Sequence, residues 1–216
     1  MFVELNHALE DGMKAFPWLM DVRVGAIFDH AASRPRYQNK AEFYLGKIEM
    51  PLNIGTYMDT PFHRYPDGAD LSEISLDRVA GLPGVVVDGA VGAGRAVRFD
   101  AAPAELSGKA VLVRTGWDQR WGTERYWEPG PYLSSESLEL LLAGKPALVG
   151  VDFWNVDNTE DLSRPAHSRL LAAGILIVES MTNLGALPRS GFRFYAAPLR
   201  VVGGAAFPVR AFAELP

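Results

Sequence analysis

The sequence predicts a mixed α/β fold, and three observations carry that reading. Short apolar or β-branched runs bounded by glycine or charged residues, such as Val85 to Val87, Ala110 to Val113, Pro146 to Val151 and Ile175 to Val178, suit buried strands. Stretches with helix start and stop signals stand between them. With 216 residues, of which 48% are hydrophobic, the chain can fill a core, and we expect a single domain over residues 1–216.

Taken in order, Phe2 to Leu5 reads as a first strand, and Asp11-Gly12 turns the chain toward Phe16-Pro17-Trp18. Val22 to Phe28 is a second strand. The polar stretch from His30 to Lys40 reads as a solvated loop carrying Arg34, Arg36 and Lys40, and Glu42 to Met50 as a strand leading out of it. Pro66-Asp67-Gly68 is a turn by composition, and Leu71 to Ala80 suits a short helix closed by Gly81. The connection from Thr115 to Tyr132 is dense in aromatics, among them Trp117, Trp121 and Trp127, which suits closure over a pocket or packing against a partner subunit. Ser134 or Ser135 caps a helix whose Leu138, Leu141 and Leu142 form one stripe before Gly144. Pro165 to Ala173 starts and builds another, closed by Gly174. From Gly191 onward, Phe192, Phe194 and Val201-Val202 suit last strands and subunit contacts.

Composition excludes several classes of function. The absence of cysteine rules out disulfides, thiolate metal sites and a cysteine nucleophile, so any metal must be held by nitrogen and oxygen. A net charge of −5 with no basic run argues against nucleic-acid binding. No long apolar run or signal-like N-terminus is present, so we expect a cytoplasmic protein with no membrane partner.

The stretch that carries chemistry is Asn53 to His63. Gly55 and Pro61 oppose a helix, which leaves an extended segment with Asn53, Tyr57, Asp59 and His63 on one face. A carboxylate and an imidazole so placed can hold a metal, run acid–base chemistry, or form a buried structural pair. This stretch resembles the signature H-x-G-T-H-x-D-x-P-x-H of the cyclase family, which includes bacterial kynurenine formamidases and isatin hydrolases. Gly55, Thr56, Asp59, Pro61 and His63 match it, while Asn53 and Tyr57 stand where the family has histidines. A second family pattern, H-x-x-L-L-x-x-G-I-x-x-x-E, is matched by His167, Leu170, Leu171, Gly174, Ile175 and Glu179.

The resemblance implies a mixed α/β domain with a barrel-like sheet flanked by helices, assembled as a homodimer or homotetramer. It implies Asp59, His167 and Glu179 as ligands of one divalent ion, Zn or Mn, and His63 as the acid–base residue. The positions of Asn53 and Tyr57 belong to another ion in the family; an amide oxygen and a phenol are poor ligands, so that ion is expected to be lost. Asp152 and Asp157 resemble an acidic pair that supports such ligands. Trp18, Asn53 and Trp117 are expected to contact a small-molecule substrate. The expected activity is hydrolysis of a small amide, lactone or cyclic imide, with Tyr57 donating to the developing oxyanion. The alternatives are a metal-independent cyclase, dehydratase or isomerase using Tyr57 and His63, and an inactive binding homologue.

Overall fold

The computed structural model describes every residue except 15, 17 and 18. Its strands, in chain order, are β1 (Phe2–Glu4), β2 (Arg23–Phe28), β3 (Leu45–Glu49), β4 (Tyr57–Asp59), β5 (Leu82–Asp88), β6 (Ala90–Val91) and β7 (Ala96–Arg98). They continue with β8 (Ala110–Arg114), β9 (Tyr132–Leu133), β10 (Leu148–Val151), β11 (Leu176–Glu179), β12 (Ser190–Tyr195), β13 (Ala206–Pro208) and β14 (Phe212–Glu214). The α-helices are α1 (His30–Ser33), α2 (Pro103–Leu106), α3 (Ser135–Gly144) and α4 (Pro165–Ala172).

Nine strands form one curled, half-barrel sheet in the order β1-β14-β12-β5-β8-β10-β11-β4-β13. Its centre, β5-β8-β10-β11, is parallel, and the joins outside it are antiparallel. The central strands are apolar on both faces because both are covered. Val86, Leu112, Leu148 and Val178 belong to one apolar cluster, which also takes in Met58, Phe194 and Ala213. The alternate residues Val85, Val111, Val149 and Ile177 belong to a second, filled by Leu138 and Leu141 of α3 and Leu170 and Leu171 of α4. Strands β2 and β3 form a separate antiparallel pair.

Several expectations change in detail. The His30 to Lys40 stretch is not all loop: the Asp29 carboxylate caps α1 at Ala32 N–H (2.7 Å), and a 3₁₀ turn follows over Arg34–Tyr37. Leu71 to Ala80 does not form an α-helix. The Asp70 carboxylate accepts from both the N–H and the hydroxyl of Ser72, Leu71 N–H is taken by Gly204 O, and only a 3₁₀ turn at Leu76–Arg78 remains. Val201-Val202 is not a strand; it lies beside a turn in which the Asp70 carboxylate accepts from Gly203 N–H. The last strands are instead β13 and β14.

Helix α3 is capped by Ser134, whose hydroxyl accepts from Ser137 N–H at 3.1 Å. Its far end differs from the expected glycine stop. Lys145, not Gly144, takes the left-handed conformation (φ 50°, ψ 57°), whereas Gly144 lies where an added Cβ would stand 2.9 Å from Leu106 Cβ. The two positions therefore respond oppositely to substitution. Lys145→Gly should stabilise the protein by about 1 kcal/mol in urea unfolding, since it relieves the left-handed penalty. Gly144→Ala should destabilise it by ~1–2 kcal/mol, although helix propensity alone favours alanine by about 1 kcal/mol; a stabilised Gly144→Ala would contradict the packing of α3 on α2.

Candidate functional site

Strands β4 and β11 pair antiparallel with Tyr57 opposite Glu179, Met58 opposite Val178 and Asp59 opposite Ile177. Side chains alternate along a strand, so Met58 and Val178 enter one core while Tyr57, Asp59 and Glu179 emerge together on the other face. Helix α4 packs on that face and brings His167 to them. The extended segment expected from Asn53 to His63 is confined to β4, with Pro61–His63 in a 3₁₀ turn, yet Asn53, Tyr57, Asp59 and His63 still meet.

Asp59, His167 and Glu179 are buried, and each offers a ligand atom within 4.8 Å of the others. His167 Nε2 lies 3.7 Å from Asp59 Oδ2 and 3.4 Å from Glu179 Oε1. Its other nitrogen, Nδ1, lies 2.6 Å from Asp157 Oδ2, which fixes the ring and aims Nε2 at the two carboxylates. Asp157 also accepts from the backbone N–H groups of Ala166 (2.6 Å) and His167 (3.1 Å), so one carboxylate orients the imidazole and anchors the first turn of α4.

The remaining carboxylate valences are only partly filled. Asn53 Nδ2 donates to Asp59 Oδ1 at 3.0 Å, Val156 N–H donates to Glu179 Oε1 at 2.7 Å, and the Tyr57 hydroxyl donates a short hydrogen bond to Glu179 Oε2. Asp59 Oδ2 has no hydrogen-bond partner. A buried carboxylate oxygen left without a donor, facing an imidazole nitrogen and a second carboxylate, fits a divalent cation held by nitrogen and oxygen. Without a cation the charges are balanced by protons. Burial lowers the His167 pKa, but Glu179, Asp157 and Asp59 outweigh it and lift it to about 10. Burial raises Glu179 above the ordinary carboxylate range against the pull of His167.

His63 stands at the rim, its Nδ1 3.6 Å from Asp59 Oδ1 and its ring 5.6 Å from that of His167. Burial lowers its pKa, as do His167 and Arg64, with Asp59 opposing them, so the ring is neutral at pH 7. Asn53, Tyr57, His63 and His167 form part of the lining of a cleft of about 580 Å³.

Residues 3–158 match the family described as "Putative cyclase". The chain belongs to this cyclase family. The kynurenine formamidase of Salinibacter ruber is 30% identical over 186 residues, covering 82% of each chain, and that of Erythrobacter litoralis is 31% identical over 177 residues, covering 80% of this chain and 78% of its own. Among solved structures, isatin hydrolase A from Labrenzia aggregata bound to benzyl benzoate has a TM-score of 0.81 at 23% identity, covering 100% of this chain and 93% of that one. A protein described as a "potential metal-dependent hydrolase with cyclase activity" has a TM-score of 0.72 at 19% identity, covering 100% of this chain and 99% of its own. These structures share the cyclase fold.

In this member of the cyclase family the other signature residues build the strand rather than the cleft. Gly55 has a positive φ of 63°, and an added Cβ would stand 2.9 Å from Leu9. The buried Thr56 hydroxyl donates to Ser180 O and accepts from His7 N–H, tying β4 to the end of β11. Asp152, paired by resemblance with Asp157, lies elsewhere: it accepts from the N–H and hydroxyl of Thr115 and from Gly116 N–H, pinning the aromatic connection.

Two expectations are corrected. Trp117 is not among the residues lining the cleft; its indole N–H donates to Tyr126 O, its ring packs against the second apolar cluster, and Arg120 lies over it at 3.9 Å. Trp127 and Trp154 supply the aromatic wall instead, and Trp154 was missed because a single aromatic in an acidic loop carries no periodic signal. Tyr57 does not offer a free donor, because its hydrogen is engaged by Glu179 and burial raises its pKa well above 10. Trp18 lies outside the described residues.

Two substitutions test this network. Tyr57→Phe leaves Glu179 Oε2 buried without its donor and should cost about 1–3 kcal/mol of unfolding free energy. Asp157→Ala removes three hydrogen bonds and should cost at least as much, with the loss in amide-exchange protection concentrated at Ala166 and His167.

Proposed function

We propose that the protein is a metal-dependent hydrolase acting on a small amide, lactone or cyclic imide, with one divalent ion, Zn or Mn, held by Asp59, His167 and Glu179. The observation that carries this reading is the unpartnered Asp59 Oδ2 beside the aimed His167 Nε2 at the base of a cleft. The kynurenine formamidase relatives, and the isatin hydrolases that share the fold, support the choice of C–N bond hydrolysis. When bound, the ion supplies Lewis-acid polarisation of a carbonyl and acidifies water.

The chain's own residues supply the rest. Asp157 holds His167 in one tautomer, and Tyr57 holds Glu179 in place, acting as a positioning residue. His63, neutral and exposed to the cleft, accepts a proton from the attacking water and returns it to the leaving group. Trp127 and Trp154, their rings tilted 56° to one another, form an aromatic corner against which a planar substrate can be seated. The metal-independent alternative needs Tyr57 as an acid, and the engaged hydroxyl counts against it. We place the protein in the cytoplasm; no helix among the described residues is long and apolar enough to cross a membrane. The proposal includes a homodimer or homotetramer, supported by the exposed Val24, Ile27, Leu45 and Ile48 of the β2–β3 pair.

Protein purified without chelator should carry stoichiometric Zn or Mn by elemental analysis, and His167→Ala should lose it. His63→Ala should keep the metal and lose roughly 10²–10⁴-fold in turnover across a panel of amides, lactones and imides. Metal-free protein whose turnover survives both EDTA and His167→Ala would sink the proposal.

A further inference from the structure

Arginine is the residue to follow outside the buried triad. Over the surface, guanidinium groups meet carboxylates: Arg98 lies 2.9 Å from Glu136, Arg169 bonds both oxygens of Glu139, and Arg34 pairs with Glu42. Other arginines, such as Arg78, Arg193 and Arg200, donate to backbone carbonyls instead, whereas Arg64 and Arg164 line the cleft that holds His63 and His167.

Arg64 follows His63 at the end of the 3₁₀ turn, and its Nε is buried without a hydrogen-bond partner. Among the described residues no carboxylate forms an ion pair with it. Arg164 precedes α4 in a left-handed conformation (φ 49°, ψ 59°), and its side-chain hydrogen bond, from Nη1 to Asn155 Oδ1, is a long 3.5 Å. It too lacks a carboxylate partner among the described residues. A guanidinium offers five donors in a planar fork matched to a carboxylate, and a buried donor with no acceptor carries a desolvation cost that a ligand would offset.

The acids nearby do not fill this role. No Asp or Glu lines the cleft itself. Asp59 and Glu179 lie beneath it, directed at His167, Asn53 and Tyr57, and Asp157 is taken up by His167 and α4. The exposed Asp161 acts on Arg164 only through space, without an ion pair. With a divalent ion balancing Asp59 and Glu179, the cleft therefore presents two guanidinium groups not ion-paired to any carboxylate among the described residues, beside Trp127 and Trp154.

We infer that the substrate is a planar molecule bearing a carboxylate, and that Arg64 and Arg164 hold that carboxylate while the ring lies against Trp127 and Trp154. The identity of the reacting bond rests on the hydrolase reading above; recognition of the carboxylate does not. Arg64 and Arg164 are then specificity residues, selecting anionic over neutral substrates of the same shape.

The test is calorimetric titration of the purified protein with benzoate and with benzamide, a neutral molecule of nearly the same shape. Benzoate should bind at least about tenfold more tightly, since a hydrogen-bonded charge pair outweighs a neutral contact by that much or more. The preference should fall to roughly twofold in Arg64→Met/Arg164→Met and be largely retained in Arg64→Lys/Arg164→Lys, which keeps the charge without the fork. Equal binding of the two probes, or no benzoate binding up to roughly 20 mM, would overturn the inference with no variant needed. So would a benzoate preference that survives in the methionine variant, because the carboxylate would then be held by the buried site. Turnover is not read, so a failure here is distinguishable from a failure of the hydrolase proposal, which metal content and His63→Ala decide.

Discussion

The structure depends on the burial of Asp59 and Glu179, two acidic side chains with no exposed surface, on the same face of adjacent strands. An isolated charge in such a place costs several kcal/mol. That cost accounts for the arrangement around them: an amide from Asn53, a phenol from Tyr57, a backbone N–H from Val156, and an imidazole held in turn by Asp157. Asn53 and Tyr57 each donate a hydrogen bond to one of the two carboxylates, which stabilises the charge buried there.

The sheet makes this possible by having two different faces. Alternation along β4 and β11 sends Met58 and Val178 into the apolar cluster shared with β12 and β14, and leaves Tyr57, Asp59 and Glu179 on the face covered by the helices. A shift of one residue in the register would bury methionine in the site and a carboxylate in the core. Thr56 opposes such a shift, because its hydroxyl joins Ser180 O on one side and His7 N–H on the other.

Much of this was legible in the sequence, for identifiable reasons. The parallel strands were readable because burial on both faces leaves continuous apolar runs, α3 because its Ser134 cap and leucine stripe are local, and α4 because Pro165 and Gly174 bound its leucines. Asp59, His167 and Glu179 were recognisable through two motifs, one on β4 and one that runs from α4 into β11. What stayed hidden was set by contacts distant in sequence. The segment after Asp70 carries helix-like composition, yet an aspartate side chain and Gly204 O take its N–H groups. Gly144 looked like a helix stop because its partner, Leu106, lies far back in the chain. Trp117 and Trp154 are alike in type, and only the fold turns one toward the core and the other toward the cleft.

Asp157 serves two structures at once: it supplies the acceptor that α4 lacks at its start, since Arg164 gives no capping side chain, and it sets the angle of His167. Loss of that one carboxylate would therefore release the first turn of the helix and the floor of the cleft together.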